Sequence, residues 1–200
     1  MNNWPESLAL TFVPLFIVIY AIGNLPFVLA LGESLSSREK RRMVHIAAAT
    51  AAVIGTAFLF LGQFVLDIMG VSVGSFAIAG GLILLVLSIR YMTSGHMVEA
   101  VPQEMVAIVP IGTPLTAGPA TITTLLLLAN EFPVYIVLVS FLLNVLVTWV
   151  VFLAGGQIAR FMGHGGLRAV SRVFSLLLAA IAVSMIIHGL DMLGIVSVNT

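Results

Sequence analysis

Apolar residues run along this chain in six long stretches, separated by short polar segments. The stretches extend approximately from Ser7 to Leu31, Met43 to Leu66, Val71 to Met92, Met105 to Ala129, Val134 to Gln157 and Ala169 to Leu193. Each is close to the ~20 residues that an α-helix needs to cross the hydrocarbon core of a bilayer. The polar segments are GESLSSREKRR, a brief turn after Asp67, TSGHMVEAVPQE, a turn at Asn130–Pro133 and ARFMGHGGLR. There backbone groups can reach water, which they cannot do within the spans. Ser36 with Glu39 fits a capping box, so the second helix is expected to start inside the first basic loop. The pattern predicts an all-α membrane protein of six transmembrane helices, a single integral membrane domain over residues 1–200.

Composition agrees. The 200 residues are 60% hydrophobic and 8% charged, with a mean hydropathy of +1.19. A soluble domain carries about 25% charged residues, so the surface expected here suits lipid. A formal net charge of zero gives no case for nucleic acid as a partner. With no cysteine there is no disulfide framework, thiolate metal site or cysteine nucleophile. No cleavable targeting segment is expected at MNNWPESLAL, which lacks a basic region ahead of its apolar run and reads as the start of the first span.

The cations orient the spans. Arg38, Lys40, Arg41 and Arg42 follow span one, Arg90 closes span three, and Arg160, Arg168 and Arg172 lie between spans five and six. All fall on one side, opposite Glu6, Asp67, Glu131 and Asp191. Cytoplasmic loops are enriched in Lys and Arg, so the basic loops are expected to be cytoplasmic and both termini outside, in a multi-pass protein of the plasma (inner) membrane. The run REKRR also suits anionic lipid, beside its plainer role as a topology anchor.

Features recur in the same order in both halves. Span one holds Val13–Pro14 and then Gly23-Asn24-Leu25-Pro26; span four holds Val109–Pro110 and then the breakers from Thr113 to Pro119. Span three runs from Phe76 to Arg90 as span six runs from Phe174 to His188. This gives one repeat over about 7–92, a cytoplasmic linker over 93–104 and a second repeat over 105–193. Three spans per half make the halves inverted, and inverted repeats with matching interrupted helices point to secondary transporters with a site near the midplane. The plainer alternative is a six-helix scaffold that tolerates kinks.

The stretch IGTPLTAGPATITTLL, residues 111–126, concentrates the breakers. Pro114 and Pro119 lack an amide hydrogen, and Gly112 and Gly118 loosen the same stretch. Pro119 suits the first turn of a new helix, whose N-terminus would present amides and a positive dipole end to a carboxylate. In span one, Asn24 is the expected N-cap of a short helix beginning near Leu25, with Gly23 freeing the backbone before it. The hydroxyls of Thr113, Thr116 and Thr121 suit an ammonium or hydroxyl group, although threonines in such helices often bond their own carbonyls instead. No Asp, Glu or Lys falls mid-span, so a small guest, neutral overall, is expected.

At PLTAGPATI, together with GNLP in span one and AIAGGLILL in span three, the sequence resembles the MarC/SnatA family of six-span inner-membrane proteins. The likeness covers nearly the whole chain, including MGHGGLRAVSRVFSLLLAAIAVSMIIHGL. The resemblance implies transport of small neutral amino acids such as glycine, alanine, serine and threonine, often in the export direction. It also implies a substrate site at Gly23, Asn24 and Pro26 and at Pro114, Thr116, Ala117, Gly118 and Pro119. Many relatives carry Asp-Pro ahead of x-Gly-Asn-x-Pro, whereas this chain reads Tyr20-Ala21-Ile22 before Gly23. That departure bears on ion coupling, for which proton and sodium gradients are the candidates. Tyr20 supplies either a hydroxyl or a packing ring.

Other features carry less. Ala77 and Gly81 form a small-xxx-small pair suited to close helix contact. Asn144 and Thr148 share a helical face, where they bridge to another helix or line the cavity. Gln63 and Gln157 fall near span ends and read as interfacial. His96 with Glu99 offers too few ligands for a metal, Ser94-Gly95-His96 has no orienting acid nearby, and Gly163-His164-Gly165-Gly166 lacks the residues of a phosphate loop. A non-enzymatic protein without cofactor is expected. The alternatives to amino acid transport are a drug or metabolite exporter and a non-transporting scaffold.

Overall fold

A computed structural model describes residues 4–32, 35–94 and 118–196. They form helices α1 (Trp4–Ile19), α2 (Ala21–Leu31), α3 (Ser37–Met69), α4 (Val73–Ser94), α5 (Pro119–Glu131), α6 (Val134–Leu153) and α7 (Gly155–Met192), with no strand among the described residues. Five stretches are long and apolar enough to cross a membrane: Trp4–Leu25, Ser37–Met69, Val73–Arg90, Val134–Leu153 and Gly165–Met192. Helix α5 has 13 residues; at 1.5 Å per residue it covers only about 20 Å, short of the ~30 Å core. The rest of the fourth expected span, 105–117, lies outside the described residues, as do His96, Glu99 and most of the linker.

Local chemistry sets the helix ends. Ser36 is extended, its hydroxyl accepts from the Glu39 amide, and the Glu39 carboxylate accepts from the Ser36 amide at 2.8 Å. The expected capping box is therefore present, and α3 starts in the basic loop. It ends at Gly70, whose φ of 67° lets its amide turn back to the carbonyls of Asp67 and Leu66. The segment ARFMGHGGLR, expected as a polar connection, is instead helical within α7 and is broken only at Gly163 (φ 62°, ψ 175°). Its polar composition hid Leu167, buried in one cluster with Leu25, Val28 and Phe152, and Ala159 and Met162, which pack against that cluster.

Helix α4 lies along α7 in the most extensive pairing, and small residues allow it. A Cβ on Gly81 would lie 2.8 Å from the Ala182 carbonyl oxygen, and one on Gly189 would lie 2.6 Å from that of Gly74. Ala77 is fully buried in this seam, as its small-residue spacing suggested. Helix α1 packs on α6, α3 on both α5 and α6, α4 on α5, and α2 on α7 and α6. Outside these seams large apolar side chains stay exposed, among them Val53, Phe64, Ile68, Leu82 and Val150. So much contiguous apolar surface is foreign to a monomer in water and natural in lipid.

Candidate functional site

The first span is interrupted at Tyr20, the residue between α1 and α2. Tyr20 has a φ of 57°, a left-handed conformation that costs an L-residue about 1–2 kcal/mol. The sequence placed the break at Gly23–Pro26, with Asn24 capping a helix from Leu25. The structure moves it upstream: Gly23, Asn24 and Pro26 all lie within α2. Asn24 works backwards rather than forwards. Its side-chain amide donates to the Ile19 carbonyl at 3.0 Å, one of the acceptors that a terminating helix leaves unpaired, while its backbone amide donates to the Tyr20 carbonyl at 2.9 Å. Gly23 is needed for space: a Cβ there would lie 1.8 Å from Tyr20 Cε1.

The Tyr20 ring crosses α2 at that notch and reaches α7. Its hydroxyl shares a 3.2 Å hydrogen bond with Ser175 Oγ, and its ring meets Phe174 edge-on at 5.9 Å between centroids. Tyr20, Asn24 and Ser175 are each at most 3% exposed. The ring packs, as one sequence reading of Tyr20 had it, and the hydroxyl bonds Ser175.

The second element of the site is the start of α5. Gly118 is the extended N-cap (φ −71°, ψ 174°) and Pro119 occupies the first turn, as the sequence predicted. Ala120, the next residue, belongs to the same apolar cluster as Tyr20, Ala77 and Leu178. The break in the first span and the head of α5 thus share one core. Thr121, Thr123 and Thr124 are buried beside it. Thr124 Oγ1 donates to the Ala120 carbonyl at 2.8 Å, the self-bonding role; Thr123 fills a notch at Gly80, where a Cβ would come within 2.4 Å of its hydroxyl oxygen. Thr113, Pro114, Thr116 and Ala117 lie outside the described residues.

Asn144 belongs to a different seam. Its side-chain amide donates to the Phe12 carbonyl at 3.1 Å and to the Ser140 carbonyl at 2.9 Å. Ser140 and Thr11 share a hydrogen bond one turn away, and Thr148 Oγ1 donates to the Asn144 carbonyl at 2.8 Å. Of the two readings for Asn144, the helix bridge between α1 and α6 is the one observed, although its Oδ1 is buried without a partner among the described residues. At the far end of α5, Glu131 pairs with His188 at 2.9 Å beside a cavity of about 200 Å³ that includes Thr124 and Ser184. Sequence reasoning did not single out Ser175, Thr11 or Ser140. Their only signal was a hydroxyl on an otherwise apolar helical face.

The family model described as MarC family integral membrane protein matches residues 6–193. The chain belongs to the MarC family. Among similar relatives, a UPF0056 membrane protein of Methanocaldococcus jannaschii is 28% identical over 193 residues, covering 90% of this chain and 94% of the relative. One of Pyrococcus abyssi is 27% identical over 191 residues, covering 92% and 94%. The UPF0056 inner membrane protein MarC of Salmonella typhimurium is 27% identical over 207 residues, with the same coverage. No solved structure matches this MarC family chain.

Proposed function

We propose that this MarC family protein is a secondary transporter, an exporter or exchanger, of small neutral amino acids such as glycine, alanine, serine and threonine. The observation that carries the reading is the meeting of two helix ends in one core: the break at Tyr20 and the head of α5 at Gly118–Pro119. Backbone discontinuity inside a membrane span is tolerated where it is buried in protein or lines a cavity, and helix ends of this kind hold the polar groups of substrates in other transporters. The substrate carboxylate would meet the first-turn amides of α5. Its ammonium would meet the hydroxyls of Tyr20, Ser175 and Thr121 and the carbonyls around the break.

Chemistry supports a guest without net charge. Among the described residues, the buried polar side chains near this core are Asn, Ser, Thr and Tyr, with no buried carboxylate or ammonium. Because Tyr20, Asn24, Thr121 and Ser175 are all buried, a substrate reaches them only through helix movement, as alternating access requires. The pairings support two inverted three-span halves, α1 to α4 (with α1 and α2 as one broken span) and the part containing α5 to α7. Exchanging first and fourth spans, second and fifth, third and sixth turns the α1–α6 contact into α5–α3, and α4–α5 into α7 with α1 and α2. The reading includes a basic face in the cytoplasm and both termini outside. Counterflow of labelled glycine, alanine, serine and threonine into proteoliposomes tests it. Saturable exchange of at least one is expected, and no saturable flux for any of the four would refute the substrate class.

A further inference from the structure

Between the α2–α3 loop and the α6–α7 junction lies a cavity of about 290 Å³. Val28, Val44, Phe152 and Leu153 form its apolar wall, and Lys40 and Arg41 contribute its cations. The volume is at the small end of ligand pockets, about 300–1,000 Å³. The Lys40 stem lies against the loop, since a Cβ on Gly32 would be 3.4 Å from its Cγ and Cε. This leaves the ammonium at the polar end, the usual disposition of lysine at a membrane boundary. Among the described residues neither cation has an acidic partner, and the neighbouring Glu39 is held by the Ser36 amide and hydroxyl. Two cations without an acidic partner among the described residues thus share a cavity with an apolar wall. From its mouth, the exposed residues Leu153, Val150 and Leu146 continue along one face of α6.

We infer that this cavity binds one anionic phospholipid, with its phosphate on Lys40 and Arg41 and an acyl chain along α6. A bare anion would satisfy the cations and leave the wall wet; a neutral lipid would do the reverse. An amphiphile with a negative head answers both. The site is independent of the transport reading and stands whether or not the chain moves amino acids.

The test is native mass spectrometry of the full-length chain in detergent with an equimolar mixture of dioleoylphosphatidylglycerol and dioleoylphosphatidylcholine. Each basic residue near a membrane surface contributes about fivefold toward an anionic lipid, so two predict a preference of roughly 25-fold. The double substitution Lys40→Gln and Arg41→Gln is expected to bring the preference close to parity, while Arg160→Gln, exposed and off the cavity wall, leaves it intact. Gly156→Leu fills the cavity without changing charge, and a Cβ there meets nothing within 4 Å. It is expected to remove tight binding in a folded chain. Equal retention of the two lipids would overturn the inference. So would a preference that survives Lys40→Gln with Arg41→Gln, undiminished binding to Gly156→Leu, or displacement of the lipid by millimolar inorganic phosphate.

Discussion

Gly23→Ala is the smallest change that tests how the first span is broken. The added methyl would lie 1.8 Å from Tyr20 Cε1 and 2.1 Å from Cζ, so the ring must leave its notch. Overpacking of this kind costs about 1–3 kcal/mol. Displacing the ring also forfeits the edge contact to Phe174, worth about 0.5–1.5 kcal/mol, and the Ser175 hydrogen bond, worth another 0.5–1.5 kcal/mol or so. These terms overlap, because moving the ring relieves the first at the expense of the others. A net loss of about 2–4 kcal/mol is expected, or roughly 5–12 °C in unfolding temperature. The assay is thermal unfolding in detergent of a double-mutant cycle with Tyr20→Gly, since glycine keeps the left-handed backbone without penalty. Tyr20→Gly alone is itself destabilising through the lost ring. In that background Gly23→Ala should cost less than about 0.5 kcal/mol, the level of additivity for uncoupled sites. Equal costs with and without the ring would refute the notch.

Three further outcomes follow from the packing. Gly189→Ala drives a methyl to within 2.6 Å of the Gly74 carbonyl oxygen, and backbone cannot yield as a side chain does; the α4–α7 seam should lose at least about 2 kcal/mol, seen as reduced yield of monodisperse protein. Asn144→Leu should change stability by less than about 1 kcal/mol, because relief of the buried, unpartnered Oδ1 offsets the lost bridge to Phe12; a fall above about 3 kcal/mol in an unfolding titration would contradict that balance. Ser36→Ala removes the α3 cap and should cost about 1 kcal/mol, measurable as a lowered unfolding temperature with unchanged helix content.

Much of the architecture is legible from hydrophobic run length, because a bilayer imposes a minimum length on every span. Element ends governed by local chemistry are equally legible. Ser36 and Glu39 announced the start of α3, and Pro119 behind Gly118 announced the head of α5. The break in span one was legible in existence and misplaced in position. Gly23 and Pro26 carry the propensity to disrupt a helix, yet the residue that turns is Tyr20, stabilised by partners more than 150 residues away on α7. Propensity is local, whereas what holds an unfavourable φ in place is tertiary. For the same reason the glycine signal was real but differently caused: Gly23 yields space to a ring and stays helical. Asn144 and Thr148 were read as one polar face, and only the path of α1 decides that Asn144 meets the Phe12 carbonyl. The helical segment 159–168 was hidden because its glycines and charges read as a loop, while Met162 and Leu167 find a core that the sequence cannot display.

The most direct test of the account is exchange of labelled alanine in proteoliposomes holding wild type, Ser175→Ala and Gly156→Leu in parallel. Saturable exchange is expected in wild type, with a raised half-saturation concentration in Ser175→Ala, whose helix content is unchanged and whose unfolding temperature falls by only a few degrees, the worth of one hydrogen bond to Tyr20. An unchanged half-saturation concentration is expected in Gly156→Leu, which lines the cavity beside Lys40 and Arg41 and is not in the Tyr20 cluster. Saturable exchange with the same half-saturation in wild type and Ser175→Ala would contradict a site at that break.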